Sequence, residues 1–185
     1  MKKTTILSIV AVVAISLTSI TASAQKIVSS KTHFKFFSST PAEDIEANNY
    51  KAVGTLETST GDIVFSVPMQ SFEFEKALMQ EHFNSKKFLN TKANPKAKLV
   101  AKIGDISTVN FTQEGSYPVN VAGNLTINGV TKAINEKATI TITDGKVSLM
   151  STLNVTLADY EVAFKKGKPS TNIAKTVEVT IHANY

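Results

Sequence analysis

The feature that most constrains this chain is a period of two that recurs through its C-terminal part. From Tyr117, the residues Val119, Val121, Gly123, Leu125 and Ile127 alternate with Asn120, Ala122, Asn124, Thr126 and Asn128. Ile134, Ala138, Ile140 and Ile142 then oppose Asn135, Lys137, Thr139 and Thr141. Val147, Leu149, Ser151, Leu153, Val155 and Leu157 oppose Lys146, Ser148, Thr152, Asn154 and Thr156. Finally Val177, Val179, Ile181 and Ala183 oppose Thr176, Glu178, Thr180 and His182. Successive side chains on a strand point to opposite faces, so each run is a strand with one apolar and one wet face. This predicts Leu125 inside and Asn124 in solvent. Asn128-Gly129 and Asp144-Gly145 sit between runs, and both tolerate the positive φ that two-residue hairpins need. These strands therefore form an antiparallel meander.

Earlier segments complete the count. Strands are expected near Ser30–Phe37, Lys51–Thr58, Asp62–Pro68 and Ala97–Ile106, with Thr60-Gly61 turning the second into the third. That makes eight. Glu75–Phe83, rich in Ala, Leu, Met, Gln and Glu, reads as a short helix between the third and fourth strands. Eight half-apolar strands bury their faces either as a sandwich or as a closed barrel, and periodicity leaves both open.

The N-terminus has a separate logic. Lys2 and Lys3 precede an apolar run from Ile6 to Ile20 and then Ala22-Ser23-Ala24, the three parts of a secretory signal peptide. The run is short for a bilayer span, which takes about 20 residues. Cleavage between Ala24 and Gln25 is expected, leaving residues 25–185 as one exported domain in the periplasm or outside the cell. The chain has no Cys, so it forms neither disulfides nor thiolate metal sites. Its net charge of +5 falls to +3 without Lys2 and Lys3, and every basic residue is Lys. Nucleic-acid readout favours Arg, so nucleic acid is not an expected partner. A Lys-rich surface suits transient contact with an anionic membrane.

Two segments carry a resemblance. One is Glu81-His82-Phe83-Asn84-Ser85-Lys86-Lys87-Phe88-Leu89 followed by Asn94-Pro95-Lys96-Ala97-Lys98-Leu99. The other is Val121-Ala122-Gly123-Asn124-Leu125-Thr126-Ile127-Asn128-Gly129-Val130-Thr131-Lys132. Together with Ser30, Thr32, Phe34 and Phe36, they resemble the YceI-like family, whose better-known members are called polyisoprenoid-binding proteins. Phe83, Leu89 and Leu99 depart from the family's usual residues but stay apolar, and Lys87 stands where an acidic residue is common. Ala158–Val162 and Asn172–Ala174 replace an Arg-containing late motif. The resemblance implies an eight-stranded antiparallel lipocalin-like β-barrel whose apolar channel holds an isoprenoid, of polyprenyl or quinone type.

Candidate residues follow. Phe34, Phe36, Phe65, Phe72, Phe74, Phe83 and Phe88 crowd the first half of the mature chain. By composition alone such a group is a packed core. The resemblance makes Phe34, Phe36, Phe65, Phe74 and Phe88 the lining of a channel, with Met79 and Phe83 at its mouth. His82 either hydrogen-bonds a quinone carbonyl or pyrophosphate, or fixes the turn after the helix, the second being the commoner role. His33 and His182 fall on outer faces of neighbouring strands, without the three or four ligands zinc requires. No metal or other cofactor is expected. No carboxylate is expected on the apolar faces, Glu136 lying near a strand start, and no nucleophile motif appears. Binding is therefore expected rather than catalysis. Two alternatives stay open: an enzyme acting on a bound isoprenoid or quinone, and a ligand-free structural or stress-related module.

Overall fold

The computed structural model describes residues 25–162, 164–165, 168–169 and 173–185. The expected signal peptide, residues 1–24, lies outside them, as does Asn172 of the late motif. The main sheet has eleven strands, all paired antiparallel. They are β1 (Lys26–Val28), β2 (Lys31–Ser39), β3 (Asp44–Asn49), β4 (Val53–Glu57), β5 (Asp62–Pro68), β6 (Glu73–Phe74), β7 (Lys96–Ile103), β8 (Gly115–Ile127), β9 (Val130–Thr143), β10 (Lys146–Thr156) and β13 (Thr176–Asn184). The strand segments β11 (Phe164–Lys165) and β12 (Lys168–Pro169) pair only with each other. The one α-helix, α1, spans Ala77–Asn84.

Eleven strands resolve into eight arms closed in a ring. β1 and β2 are consecutive stretches of one arm, and β3 and β4 of the next. These two arms form a single long hairpin in one register, with Lys26 opposite Glu57 and Phe36 opposite Ala47. The ladder is interrupted in its middle, where one main-chain bond is supplemented by side chains. Ser29 N–H donates to the Gly54 carbonyl at 2.8 Å, Gly54 N–H to Ser29 Oγ at 2.7 Å, and Thr32 Oγ1 to the Ala52 carbonyl. Buried Asn49 does the same on the second arm, donating to the Pro68 carbonyl at 2.8 Å and accepting from Lys51 N–H at 2.9 Å. The ring then runs through β5, β7, β8, β9, β10 and β13, and closes where β13 pairs with β2. So the expected eight strands are present, with the first two interrupted. β6 is an addition, a two-residue edge on β3.

The register follows the alternation. Thr32, Phe34, Phe36 and Ser38 of β2 point inward, as do Ile63, Phe65 and Val67 of β5 and Ala97, Leu99, Ala101 and Ile103 of β7. Asn128 and Gly129 both take positive φ, as do Asp144 and Gly145, so the two turns match the twist of their strands. Gly123 has a different task. A Cβ there would strike the backbone of Val100 and Ala101, so β7 and β8 approach as closely as they do only with glycine at this point. Leu125 packs partly buried against the core while Asn124 is exposed.

Candidate functional site

One end of the barrel is closely packed and the other is hollow. At the packed end the Phe65 ring lies over Gly54 and meets Phe34 edge-on at 5.3 Å. At the hollow end is an apolar cavity of about 110 Å³ that opens at a mouth. Phe34 and Phe36 of β2, Val67 of β5 and Leu99 of β7 form part of its wall. Leu125 and Ile127 of β8, Leu153 and Val155 of β10, and Val177, Val179 and Ile181 of β13 form the rest. Leu157, Tyr160 and Val162, which follow β10, complete one side of the mouth.

The mouth is covered by the segment from Phe72 to Leu89. Phe83 is its centre. Its ring stacks on Phe36 at 5.7 Å and meets Phe72 at 5.6 Å, Phe74 at 5.0 Å and Phe88 at 6.1 Å. Each such aromatic pair contributes about 0.5–1.5 kcal/mol beyond area burial. α1 carries no side-chain N-cap and is short, so this apolar anchor is what holds it in place. Its outer side is wet: Leu78 is 62% exposed and His82 is exposed.

A chain of amides fastens the cover. Thr91 Oγ1 donates to Asn84 Oδ1 at 2.8 Å, joining the end of α1 to the following loop. Asn94 Nδ2 donates to Asn128 Oδ1 at 2.8 Å, and Asn128 Nδ2 to the Tyr160 carbonyl at 3.2 Å. Asn128 thereby links the loop before β7, the β8–β9 turn and the segment after β10. The Tyr160 phenol is pushed above its ordinary range, by burial first and then by the negative charge of Asp159.

The sequence-derived residues divide. Phe34, Phe36, Phe83 and Phe88 line the cavity together. Phe65 does not: it is 1% exposed and belongs to the packed end. Phe74 packs behind Phe36 and Phe83, and Met79 is half-buried on α1 one turn before Phe83. The His82 side chain faces solvent, and the residue's contribution is its carbonyl, which accepts from Ser85 N–H at 3.1 Å and Ser85 Oγ at 2.7 Å. Nothing in the sequence marks the aliphatic wall from β8, β10 and β13, or the place of Phe72, as part of a site. The alternation gave those residues their inward face, but only the tertiary structure separates a hollow stretch of an apolar face from a filled one.

Glu136 is a correction. β9 begins at Val130 rather than near Ile134, so Glu136 lies in mid-strand opposite Val121, on the inward side. It borders a small void at the packed end with Ile63, Phe65, Leu149 and Ser151. His33 and His182 are opposite each other in the β2–β13 ladder, as closure requires. His33 stacks on Tyr50 at 4.6 Å and bonds Asn48 Oδ1 at 2.7 Å through Nε2, which turns its ring toward β3. Among the described residues, no group of three His, Asp or Glu side chains is placed to hold a metal ion, and no helix is long and apolar enough to cross a membrane.

A ring of antiparallel strands with an apolar cavity under an aromatic cover narrows the family. The model of the YceI-like domain matches residues 12–185. The chain belongs to the YceI-like family. Solved structures agree on the fold. BcnA of Burkholderia cenocepacia superimposes with a TM-score of 0.70 at 17% identity, over 83% of this chain and 96% of that one. A polyisoprenoid binding domain from Saccharophagus degradans, implicated in plant cell wall breakdown, gives 0.73 at 13% identity, over 88% and 98%. The YceI protein of Campylobacter jejuni gives 0.59 at 19% identity, over 74% and 80%. A search of curated proteins found no significant match. In this YceI-like chain the two segments that carried the resemblance meet, through the bond between Asn94 and Asn128.

Proposed function

We propose that this YceI-like protein is an exported lipid-binding protein that holds a long apolar isoprenoid, of polyprenyl or quinone type, as a carrier or reservoir. The observation that carries this reading is the cavity itself: apolar, walled almost wholly by aliphatic and phenylalanine side chains and roofed by an aromatic cover. Ligand sites of this kind are concave and mostly apolar, with only a few polar groups to fix orientation. The polyisoprenoid binding domain from Saccharophagus degradans shares the fold and supports the ligand class.

Energetics supports a carrier over a trap. Burying each CH₂ of an isoprenoid contributes about 0.8 kcal/mol relative to water. A bilayer offers the same gain, so net transfer from membrane to barrel is small, and ordering the tail opposes it. A lipid held on those terms can be returned to a membrane. Binding fits the polar groups better than catalysis does. Glu136 is the one carboxylate on an inward strand face among the described residues, and His82 faces solvent.

The test is native mass spectrometry of protein recovered from the exported fraction without refolding. The expected result is a chain beginning at Gln25 with a bound, extractable lipid whose fragments give an isoprenoid tail. Protein that is lipid-free at source and does not take up lipid from vesicles would end the carrier reading.

A further inference from the structure

The ring has a fork in its wall. The β9–β10 ladder runs from Lys146 opposite Thr143 to Ser151 opposite Ala138 and stops there. Both strands continue. β9 runs back to Val130 paired only with β8, and β10 runs on to Thr156 paired only with β13. The two strands therefore diverge from a fixed apex, where Ser151 Oγ donates to the Lys137 carbonyl at 2.8 Å. The open side is spanned by Leu157–Tyr160, tied to the β8–β9 turn through Asn128.

Glu136 sits just inside that apex on the inward face. The void it borders shares Leu99, Leu153 and Ile181 with the wall of the apolar cavity, so the fork and the cavity adjoin. Among the described residues, no ion pair or hydrogen bond engages the Glu136 carboxylate. Lys137, next in sequence, is exposed on the outer face. Lys132, the nearest lysine on the inward side of the same strand, is four residues away, about 13 Å at strand rise. That exceeds the screening length of about 8 Å at physiological salt. Lys98 borders the apolar cavity rather than the fork.

Resting on the lipid-binding reading, we infer that the β9–β10 fork receives the polar end of the ligand and that Glu136 selects its chemistry. The favoured end is an uncharged hydrogen-bond donor, a hydroxyl, and the disfavoured one is a phosphate. An ionised carboxylate only accepts hydrogen bonds, so its complement is a donor. A second anion beside it, in a cleft partly withdrawn from water, meets repulsion that no local cation offsets. With its tail in the cavity, a polyprenol can place its hydroxyl against Glu136. A polyprenyl phosphate cannot do so without that repulsion.

The experiment loads delipidated mature protein from neutral phosphatidylcholine vesicles containing either a polyprenol or the polyprenyl phosphate of the same tail length. Lipid bound per protein is counted by mass spectrometry. Wild type should prefer the alcohol by about tenfold, equivalent to about 1.4 kcal/mol. Glu136→Gln should bring the two within about twofold, mainly by raising phosphate uptake, and Glu136→Lys should invert the order. Thermal unfolding of each variant identifies any that does not fold, and the remaining one carries the test. Equal loading of both lipids by wild type, or a preference unchanged in the folded variants, would overturn the role of Glu136 and leave lipid binding standing. Failure of wild type to load either lipid would overturn both.

Discussion

Tyr185 extends the inward-facing row of β13 with a hydroxyl that is buried and bound to nothing among the described residues. Such a group loses its hydrogen bonds to water without replacement, which costs about 1–3 kcal/mol. Burial also pushes its ionisation well above the ordinary tyrosine range. The sign of the pH effect follows. The unfolded chain releases this proton near pH 10, while the folded protein keeps it, so stability is full below that pH and falls as pH rises above it. Tyr185→Phe should therefore be neutral or stabilising by about 1 kcal/mol at neutral pH, and should flatten the alkaline loss. Denaturant midpoints at neutral pH and above about pH 10 check both.

At the scale of elements, the amide link through Asn128 is what a small substitution can separate from the turn that contains it. Asn128 has φ of 52°, and glycine adopts that conformation readily. Asn128→Gly should keep the hairpin yet lose the bonds to Asn94 and to the Tyr160 carbonyl, at a cost of about 1–2 kcal/mol. Hydrogen exchange should accelerate in residues 85–95 and 157–162 and remain slow in the β8–β9 ladder. Uniform acceleration would mean that the turn itself had failed. The contrast between turn and link also explains what could be read in advance. β8, β9, β10 and β13 were legible because alternation, Asn-Gly and Asp-Gly all act locally. β3 was not, because Asp-Ile-Glu-Ala-Asn-Asn puts a buried asparagine where the pattern asks for an apolar residue. Asn49 earns that position only through partners on Pro68 and Lys51, and Asn128 showed in sequence as a turn residue with no hint of its reach.

Across the whole molecule, the packed and hollow ends give equivalent side chains opposite fates. Phe65 fills a closed core, so Phe65→Ala should cost about 3–5 kcal/mol. Phe34→Trp instead adds volume beside open space, and should leave the fold intact while excluding lipid. Thermal unfolding combined with lipid content per folded molecule distinguishes them. Loss of stability with both changes, and no loss of lipid with the second, would mean that the cavity is not where the ligand lies. Which phenylalanines belonged to which end was hidden from the sequence, since both sets occupy inward positions on strands of the same pattern.

The closure of β2 on β13 ties Lys31–Phe37 to Glu178–Asn184, nearly the first and the last of the described residues. Pairing so distant in sequence makes folding slow, because loop entropy is lost before those contacts form. A ribosome makes the C-terminal strand last, so a growing chain has the β2 edge and the β10 edge but nothing to join them. The barrel cannot be completed during synthesis. On the export reading proposed above, that delay keeps the chain threadable until it has been released.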